Sequence, residues 1–116
     1  MKILWFDVET TGLDAKVNDL ITISMRVEID GEIKDKLDLK IQPYNYEAIT
    51  DEALKVNNIT REELKTFMEP KEAHKLIVAF FSKYVDKFKK NKTSADKLIP
   101  AGYNVLFDIQ FLSEFF

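Results

Sequence analysis

The sequence predicts an α/β fold in which a mixed β-sheet carries helices on both faces. Three observations support this prediction. The chain opens with a strand that is apolar on both sides, two strands joined by an Asp-Gly turn follow, and an amphipathic helix then precedes a short fourth strand. The order β-β-β-α-β-α gives a meander of three antiparallel strands. A strand that returns after a helical crossover is expected to pair in parallel with the first, through a right-handed connection.

The three N-terminal strands are predicted from their polarity patterns. Residues 2–8 are apolar on both alternating faces, which favours a strand buried on both sides near the centre of the sheet. Residues 20–29 alternate strictly between apolar and polar side chains, as a strand with one buried face does. Asp30-Gly31 is a dipeptide typical of tight hairpin turns, so the return strand should span about residues 32–42.

The remaining elements are mostly helical. Residues 50–66 predict two short helices, each preceded by a threonine suited to an N-cap. Apolar residues recur at three- and four-residue spacing from about 70 to 90, which predicts a long amphipathic helix, followed by a polar loop over 91–97. A short strand is expected over 98–101, and a last helix should begin near residue 107 and run to the end of the sequence.

Length and composition exclude several classes of protein. The chain has 116 residues, 46% of them hydrophobic and 32% charged, which fits one globular domain. The net charge of −3 gives no hint of a nucleic-acid partner, so any such binding must come from a local site. The absence of cysteine excludes disulfide scaffolds, and a single histidine excludes a histidine-rich metal site. With no secretory signal and no long apolar stretch, a cytoplasmic protein without a membrane segment is expected.

Two acidic residues follow the first strand at a spacing that suits metal binding. Asp7 and Glu9 are two residues apart, so the strand geometry places both carboxylates on the same face. The carboxyl end of a central strand is where α/β sheets usually carry their sites. Because two adjacent carboxylates repel each other, a hard divalent cation such as Mg²⁺ or Mn²⁺ would stabilise them. A solvated strand end with two unrelated acids is the alternative.

Three segments together resemble one enzyme family. Residues 7–14 read D-V-E-T-T-G-L-D and match all eight positions of the first motif of the DEDD (DnaQ-like) 3′→5′ exonucleases. Residues 102–112 read G-Y-N-V-L-F-D-I-Q-F-L, which is similar to the second motif of that family, H-N-x-x-F-D-x-x-F-L. Between them, residues 53–60 resemble the stretch A-x-x-V-H-G-I-T, with asparagines in place of the histidine and the glycine. The resemblance spans nearly the whole chain.

This resemblance implies a ribonuclease H-like fold and hydrolysis of the terminal phosphodiester with two divalent ions about 4 Å apart. Asp7, Glu9 and Asp108 would be the catalytic and metal-binding residues, and the ions would be Mg²⁺ or Mn²⁺. The implied substrate is single-stranded DNA or frayed 3′ ends, with RNA as an alternative, and a DNA polymerase is a candidate partner. The residues expected to bind the 3′-terminal nucleotide are Thr10, Thr11, Leu13, Asn104 and Phe107.

The sequence departs from the family in its third motif. That motif, H-x-A-x-x-D or Y-x-x-x-D, supplies a fourth carboxylate and the residue that positions the attacking water, and it does not follow Asp108 here. His74 precedes the second motif on a helix and is expected to be an ordinary helix residue. We therefore expect residues 1–116 to be a single, C-terminally incomplete exonuclease domain that lacks the last strand and helix and is inactive by itself. Tyr103 also replaces the histidine of the second motif.

Two other functions compete with this hypothesis. The first is a non-catalytic metal- or nucleic-acid-binding fragment of the same fold. The second is a haloacid-dehalogenase-like phosphotransferase, which requires D-x-D-x-T and is disfavoured by Glu9. A run of lysines near the end of the long helix is most simply explained by charge complementarity with the helix dipole rather than by nucleic-acid binding; it comprises Lys83, Lys87, Lys89, Lys90 and Lys92.

Overall fold

The computed structural model describes residues 1–84 and 98–116, and it contains the predicted mixed sheet. The four strands are β1 (Lys2–Thr10), β2 (Leu20–Ile29), β3 (Glu32–Lys40) and β4 (Leu98–Ala101). Their order in the sheet is β3-β2-β1-β4. β1 pairs antiparallel with β2 and parallel with β4, and β2 pairs antiparallel with β3. The predicted meander and the predicted parallel fourth strand are confirmed.

The hairpin between β2 and β3 shows why the Asp-Gly dipeptide stands there. Asp30 and Gly31 both have positive φ, at 50° and 88°. This is the conformation that two-residue hairpin turns require, and asparagine, aspartate and glycine adopt it at the lowest cost. β3 ends at Lys40, two residues earlier than predicted, and Ile41 then pairs with Met68 in an isolated bridge.

Four helices complete the described structure. They are α1 (Asp51–Asn57), α2 (Arg61–Leu64), α3 (Pro70–Ser82) and α4 (Val105–Phe115), and a short 3-10 helix over Tyr46–Ala48 was not predicted. Thr50 and Thr60 cap α1 and α2 as expected, and Thr60 forms a full capping box with Glu63. The predicted continuation of the long helix to residue 90 and the predicted loop over 91–97 lie outside the described residues.

The main hydrophobic core lies between one face of the sheet and helices α3 and α4. Alternate residues of β1 and β2 point into it, and they meet the apolar stripes of the two helices. From the strands the core takes Leu4, Phe6, Val8, Leu20, Ile23, Met25, Val27 and Leu39, with Ile41 beside them, and from the helices Ala73, Ile77, Phe80, Phe111 and Phe115. This packing fixes α4 against the end of β1.

The opposite face of the sheet corrects one prediction. Trp5 and Ile99, which are neighbours on that face, are 43% and 41% exposed, so β1 is buried on one side rather than both. The indole N–H of Trp5 donates a hydrogen bond to the Glu28 carboxylate (3.3 Å), a polar contact that an alternation pattern does not register.

A second, smaller core holds α1 and α2 beside the sheet. It is built around one residue of β2 and comprises Ile21, Ile49, Leu54, Leu64 and Phe67. It sets α1 near the carboxyl end of β1. Within the described ranges, no helix is both long and apolar enough to cross a membrane.

Candidate active site

A cleft opens where β1 and β4 separate. The two strands pair only as far as Trp5 and Ala101, after which the chain turns at Gly102 into α4 while β1 continues to Thr10. A Cβ atom on Gly102 would lie 2.5 Å from the Phe6 carbonyl oxygen, so the close approach of the turn to β1 requires glycine. The carboxyl ends of two parallel strands therefore border the cleft, which is the usual position of sites in α/β sheets.

Asp108 lies in the first turn of α4 and is only 2% exposed. Its carboxylate accepts a hydrogen bond from the Val8 backbone N–H, a group of β1 that β4 no longer reaches. Its Oδ2 atom is buried and has no hydrogen-bond partner among the residues that the structure describes. Burial, together with the negative charge of Asp7, raises the pKa of Asp108 to about 6. Asp7 and Asp108 therefore form a like-charge pair.

Glu9 lines the large cleft, whereas Asp7 lies in a neighbouring pocket with Gly102 and Tyr103. Glu9 is half-buried, and its carboxylate accepts a hydrogen bond from the hydroxyl of Thr22 (2.8 Å), the residue opposite it on β2. In the described parts of the chain, no three histidine, cysteine, aspartate or glutamate side chains are arranged as a metal site. Asp7 thus lies near enough to Asp108 for its charge to raise the pKa of Asp108, and the Glu9 carboxylate accepts a hydrogen bond from Thr22. The three acids do not form a closed cluster.

The cleft has a volume of about 800 Å³ and a mixed lining. Leu13 is 87% exposed and stands on one wall, as expected for a residue outside the core. Phe107 and Asn104 come from the beginning of α4, and Val56 belongs to α1. Apolar walls with a few polar groups suit a ligand that has a flat apolar part and a polar part.

Of the two threonines predicted to bind substrate, Thr10 borders the cleft and Thr11 lies behind it. Thr11 is fully buried, and both its N–H and its hydroxyl are hydrogen-bonded to the backbone of Asp19 (2.9 and 3.0 Å). The Thr10 hydroxyl donates to the Gly12 carbonyl (2.6 Å). The expected substrate contact of Thr11 is therefore not supported by its position, and both hydroxyl groups shape the loop instead.

Sequence analysis did not identify the residues of α1 that border the cleft. Thr50, Ala53, Val56 and Asn57 all line it. The signal was present in the A-x-x-V-H-G-I-T resemblance, which covers three of these four positions. The adjoining Asn58 has a φ of 55°, a left-handed conformation that agrees with the glycine of that pattern.

A family profile described as exonuclease (RNase T) matches residues 4–112, almost the whole chain. The chain belongs to this exonuclease family. The matched range includes the DnaQ-like motifs at residues 7–14 and 102–112. No curated protein matches the chain significantly.

Solved structures of exonuclease I share the ribonuclease H-like fold of this exonuclease chain. The complex of Escherichia coli exonuclease I with a dT13 oligonucleotide superimposes with a TM-score of 0.73 at 18% identity, covering 95% of this chain and 22% of that one. A moderately thermophilic exonuclease I from Methylocaldum szegediense gives 0.68 at 19% identity, with 98% and 22% covered. A complex of exonuclease I with the SSB C-terminus gives 0.71 at 18% identity. The chain spans about a fifth of the length of these proteins.

Exonucleases of this family generally use divalent metal ions, and the acidic residues beside the cleft fit such ions in part. The unpartnered Oδ2 of buried Asp108 and the adjacent charge of Asp7 are what a cation would satisfy and neutralise. All the candidate donors are oxygen atoms, which suits Mg²⁺ and Mn²⁺. The hydrogen bond from Thr22 engages only Oε1 of Glu9, so its second oxygen could join them.

Proposed function

We propose that this protein is a 3′→5′ exonuclease that hydrolyses the terminal phosphodiester bond of DNA with two divalent metal ions. The observation that carries the proposal is the buried, unpartnered oxygen of Asp108 beside the charge of Asp7, next to the turn at Gly102 where β1 and β4 separate. Because an uncompensated buried carboxylate is costly, a cation bound beside Asp108 would stabilise the site.

Asp7, Glu9 and Asp108 are the proposed metal-binding and catalytic residues. When bound, Mg²⁺ or Mn²⁺ would activate a water molecule and stabilise the leaving 3′ oxygen. Asp108 is held rigidly for this role, because α4 positions it and the Val8 N–H fixes its carboxylate. The exposed Asp7 and the half-buried Glu9 leave room for solvent and substrate phosphate.

The cleft is the proposed site of the 3′-terminal nucleotide. Leu13 and Val56, which are 87% and 84% exposed, offer apolar surface to the base, and Phe107 lies on the same cleft. Asn104 and the backbone at Thr10 supply polar contacts. Single-stranded DNA or a frayed 3′ end fits a cleft that admits one strand end, and exonuclease I, which has this fold, binds a dT13 oligonucleotide. RNA is the alternative substrate, and a DNA polymerase is a proposed partner.

A second candidate function is metal or nucleic-acid binding without catalysis. Within the described ranges, no three acidic side chains are arranged to hold a metal ion, and this favours it. The two candidates differ in one measurable property, the release of nucleotides.

A 5′-labelled single-stranded oligonucleotide in Mn²⁺ distinguishes them. A ladder that shortens from the 3′ end supports the proposal, whereas binding without shortening supports the second candidate, and immediate release of the labelled nucleotide contradicts the direction. Asp7→Asn should abolish the ladder, and Glu62→Gln, a change of an exposed acid on α2, should not.

A further inference from the structure

Helix α1 is hydrogen-bonded at both of its ends to two consecutive carbonyl groups, that of Thr10 at the end of β1 and that of Thr11 at the start of the following loop. At its first end, Thr50 donates to the Thr11 carbonyl twice, from its N–H (2.8 Å) and from its hydroxyl (3.0 Å). At its last residue, Asn57 donates from its side-chain amide to the Thr10 carbonyl (3.0 Å). These contacts span 39 and 47 residues of sequence.

Backbone hydrogen bonds at the end of α1 also fix the position of Asn57. Asn58 ends the helix in the left-handed conformation, and its N–H donates to the carbonyls of Leu54 and Lys55. The backbone N–H of Ile59 then donates a hydrogen bond to the Leu54 carbonyl (3.0 Å), and the Ile59 side chain packs against the smaller core. The Asn57 side chain is half-buried, so its hydrogen bond is only partly open to competition from water.

The position of this bond connects two parts of the site. Thr10 directly follows Glu9 on the strand that also carries Asp7, whereas Asn57 belongs to the helix whose residues Ala53 and Val56 form a wall of the cleft. The bond therefore fixes the distance between the wall that would receive the nucleotide and the strand that carries the acids.

We infer that Asn57 is a positioning residue, which holds α1 against Thr10 so that a 3′-terminal nucleotide seated on α1 lies in register with the acids of β1. This inference rests on the proposed function. It depends on the donor N–H of Asn57, not on contact between Asn57 and the reacting atoms. A histidine, which the family pattern has at this position, could donate to the same carbonyl from its ring N–H.

The test measures binding of the 3′ end rather than cleavage. The probe is an oligonucleotide with 2-aminopurine as its 3′-terminal base, titrated in Ca²⁺, and a second oligonucleotide carries 2-aminopurine at an internal position. Asn57→Asp keeps the shape of the side chain but removes the donor, and we expect it to weaken binding of the terminal probe about three- to tenfold. Asn57→His should bind within threefold of the wild type.

Lys55→Gln is the matched control, because it lies on the same helix, is exposed and changes the net charge by the same −1 as Asn57→Asp. It should alter binding less than twofold. Thermal unfolding of each variant accompanies the titrations, and Asn57→Ala serves as the donor-free variant if Asn57→Asp does not fold.

The outcomes separate the inference from the proposed function. If the fluorescence of the terminal 2-aminopurine does not respond to wild-type protein, the proposed function is overturned, and the inference with it. Wild-type binding that Asn57→Asp leaves unchanged overturns the inference alone. A folded Asn57→His variant that binds as weakly as Asn57→Asp also overturns it, because the donor would then not be the cause.

Discussion

Replacing Asp108 by asparagine should make the metal-free protein more stable at neutral pH. The structure buries this carboxylate beside the charge of Asp7 and leaves one of its oxygens without a partner. Its pKa is raised from 3.8 to about 6, and one unit corresponds to about 1.4 kcal/mol, so the upper limit of the penalty is about 3 kcal/mol. Because solvent near the exposed Asp7 screens part of this repulsion, we expect a gain of about 1–2 kcal/mol. Asparagine can still accept the Val8 N–H.

The gain should depend on pH in a defined direction. The folded pKa of Asp108 lies above the unfolded value, so between about pH 4 and pH 6 the folded state binds more protons than the unfolded state. The contribution of Asp108 to the free energy of unfolding therefore falls as the pH rises through this range. The Asp108→Asn variant lacks this contribution, so its advantage should be small below pH 4 and complete above about pH 6.

Urea unfolding in EDTA from pH 4 to pH 8 measures this difference. Asp38→Asn is a control of opposite sign, because Arg26 lowers the pKa of Asp38 and its removal should cost more at neutral than at acidic pH. Adding Mn²⁺ should then stabilise the wild type more than Asp108→Asn, since ligand binding to the folded state raises its stability. An Asp108→Asn protein that is no more stable than wild type at pH 7, with an unchanged pH profile, would refute the reasoning.

Three further substitutions test other parts of the structure. Gly102→Ala places a methyl group 2.5 Å from the Phe6 carbonyl oxygen and should cost about 1–3 kcal/mol in thermal or urea unfolding; a silent change would mean that the turn is not constrained. Tyr84→Phe removes the hydroxyl that donates to Asp35 (2.6 Å). Burial, and second the hydrogen bond and charge of Asp35, raise the pKa of Tyr84 to about 12. The free energy of unfolding of the variant should therefore be lower than that of the wild type below pH 10, and in unfolding titrations this difference should vanish as the pH passes 12. Leu13→Ala should change the free energy of unfolding by less than about 0.5 kcal/mol while weakening binding of a 3′-terminal 2-aminopurine probe; a folding cost of 2–5 kcal/mol would identify a core residue instead.

The strand order and the helix starts could be predicted because they depend on local patterns. Alternation in β2, the Asp30-Gly31 turn and the threonine caps each act within a few residues, and all three occur as predicted. The exposure of Trp5 could not be predicted, because hydrophobicity along a strand does not state what covers each face.

The acidic residues of the candidate site could be predicted from the sequence, but the hydrogen bonds of the residues around them could not. The motif resemblance led to Asp7, Glu9 and Asp108 together. The hydrogen bonds that bury Thr11 and the hydrogen bond from Asn57 to Thr10 depend on partners 8 and 47 residues away in sequence, which no local pattern contains. The hydrogen bond of Glu9 to Thr22 follows from the β1–β2 register, and that register includes an irregularity at Glu9 and Thr10.

The division of the interior into two cores has a consequence for motion. Ile21 and Ile23 are close neighbours on β2, yet the first belongs to the smaller core and the second to the larger. The segment with α1 and α2 therefore rests on five buried side chains, and we expect hydrogen exchange to show it opening before the sheet does. Because α1 is a wall of the cleft, such local unfolding would widen the cleft. The hydrogen bonds from Thr50 and Asn57 to the Thr11 and Thr10 carbonyls oppose this opening, and under the proposed function they would also slow the release of a bound strand end.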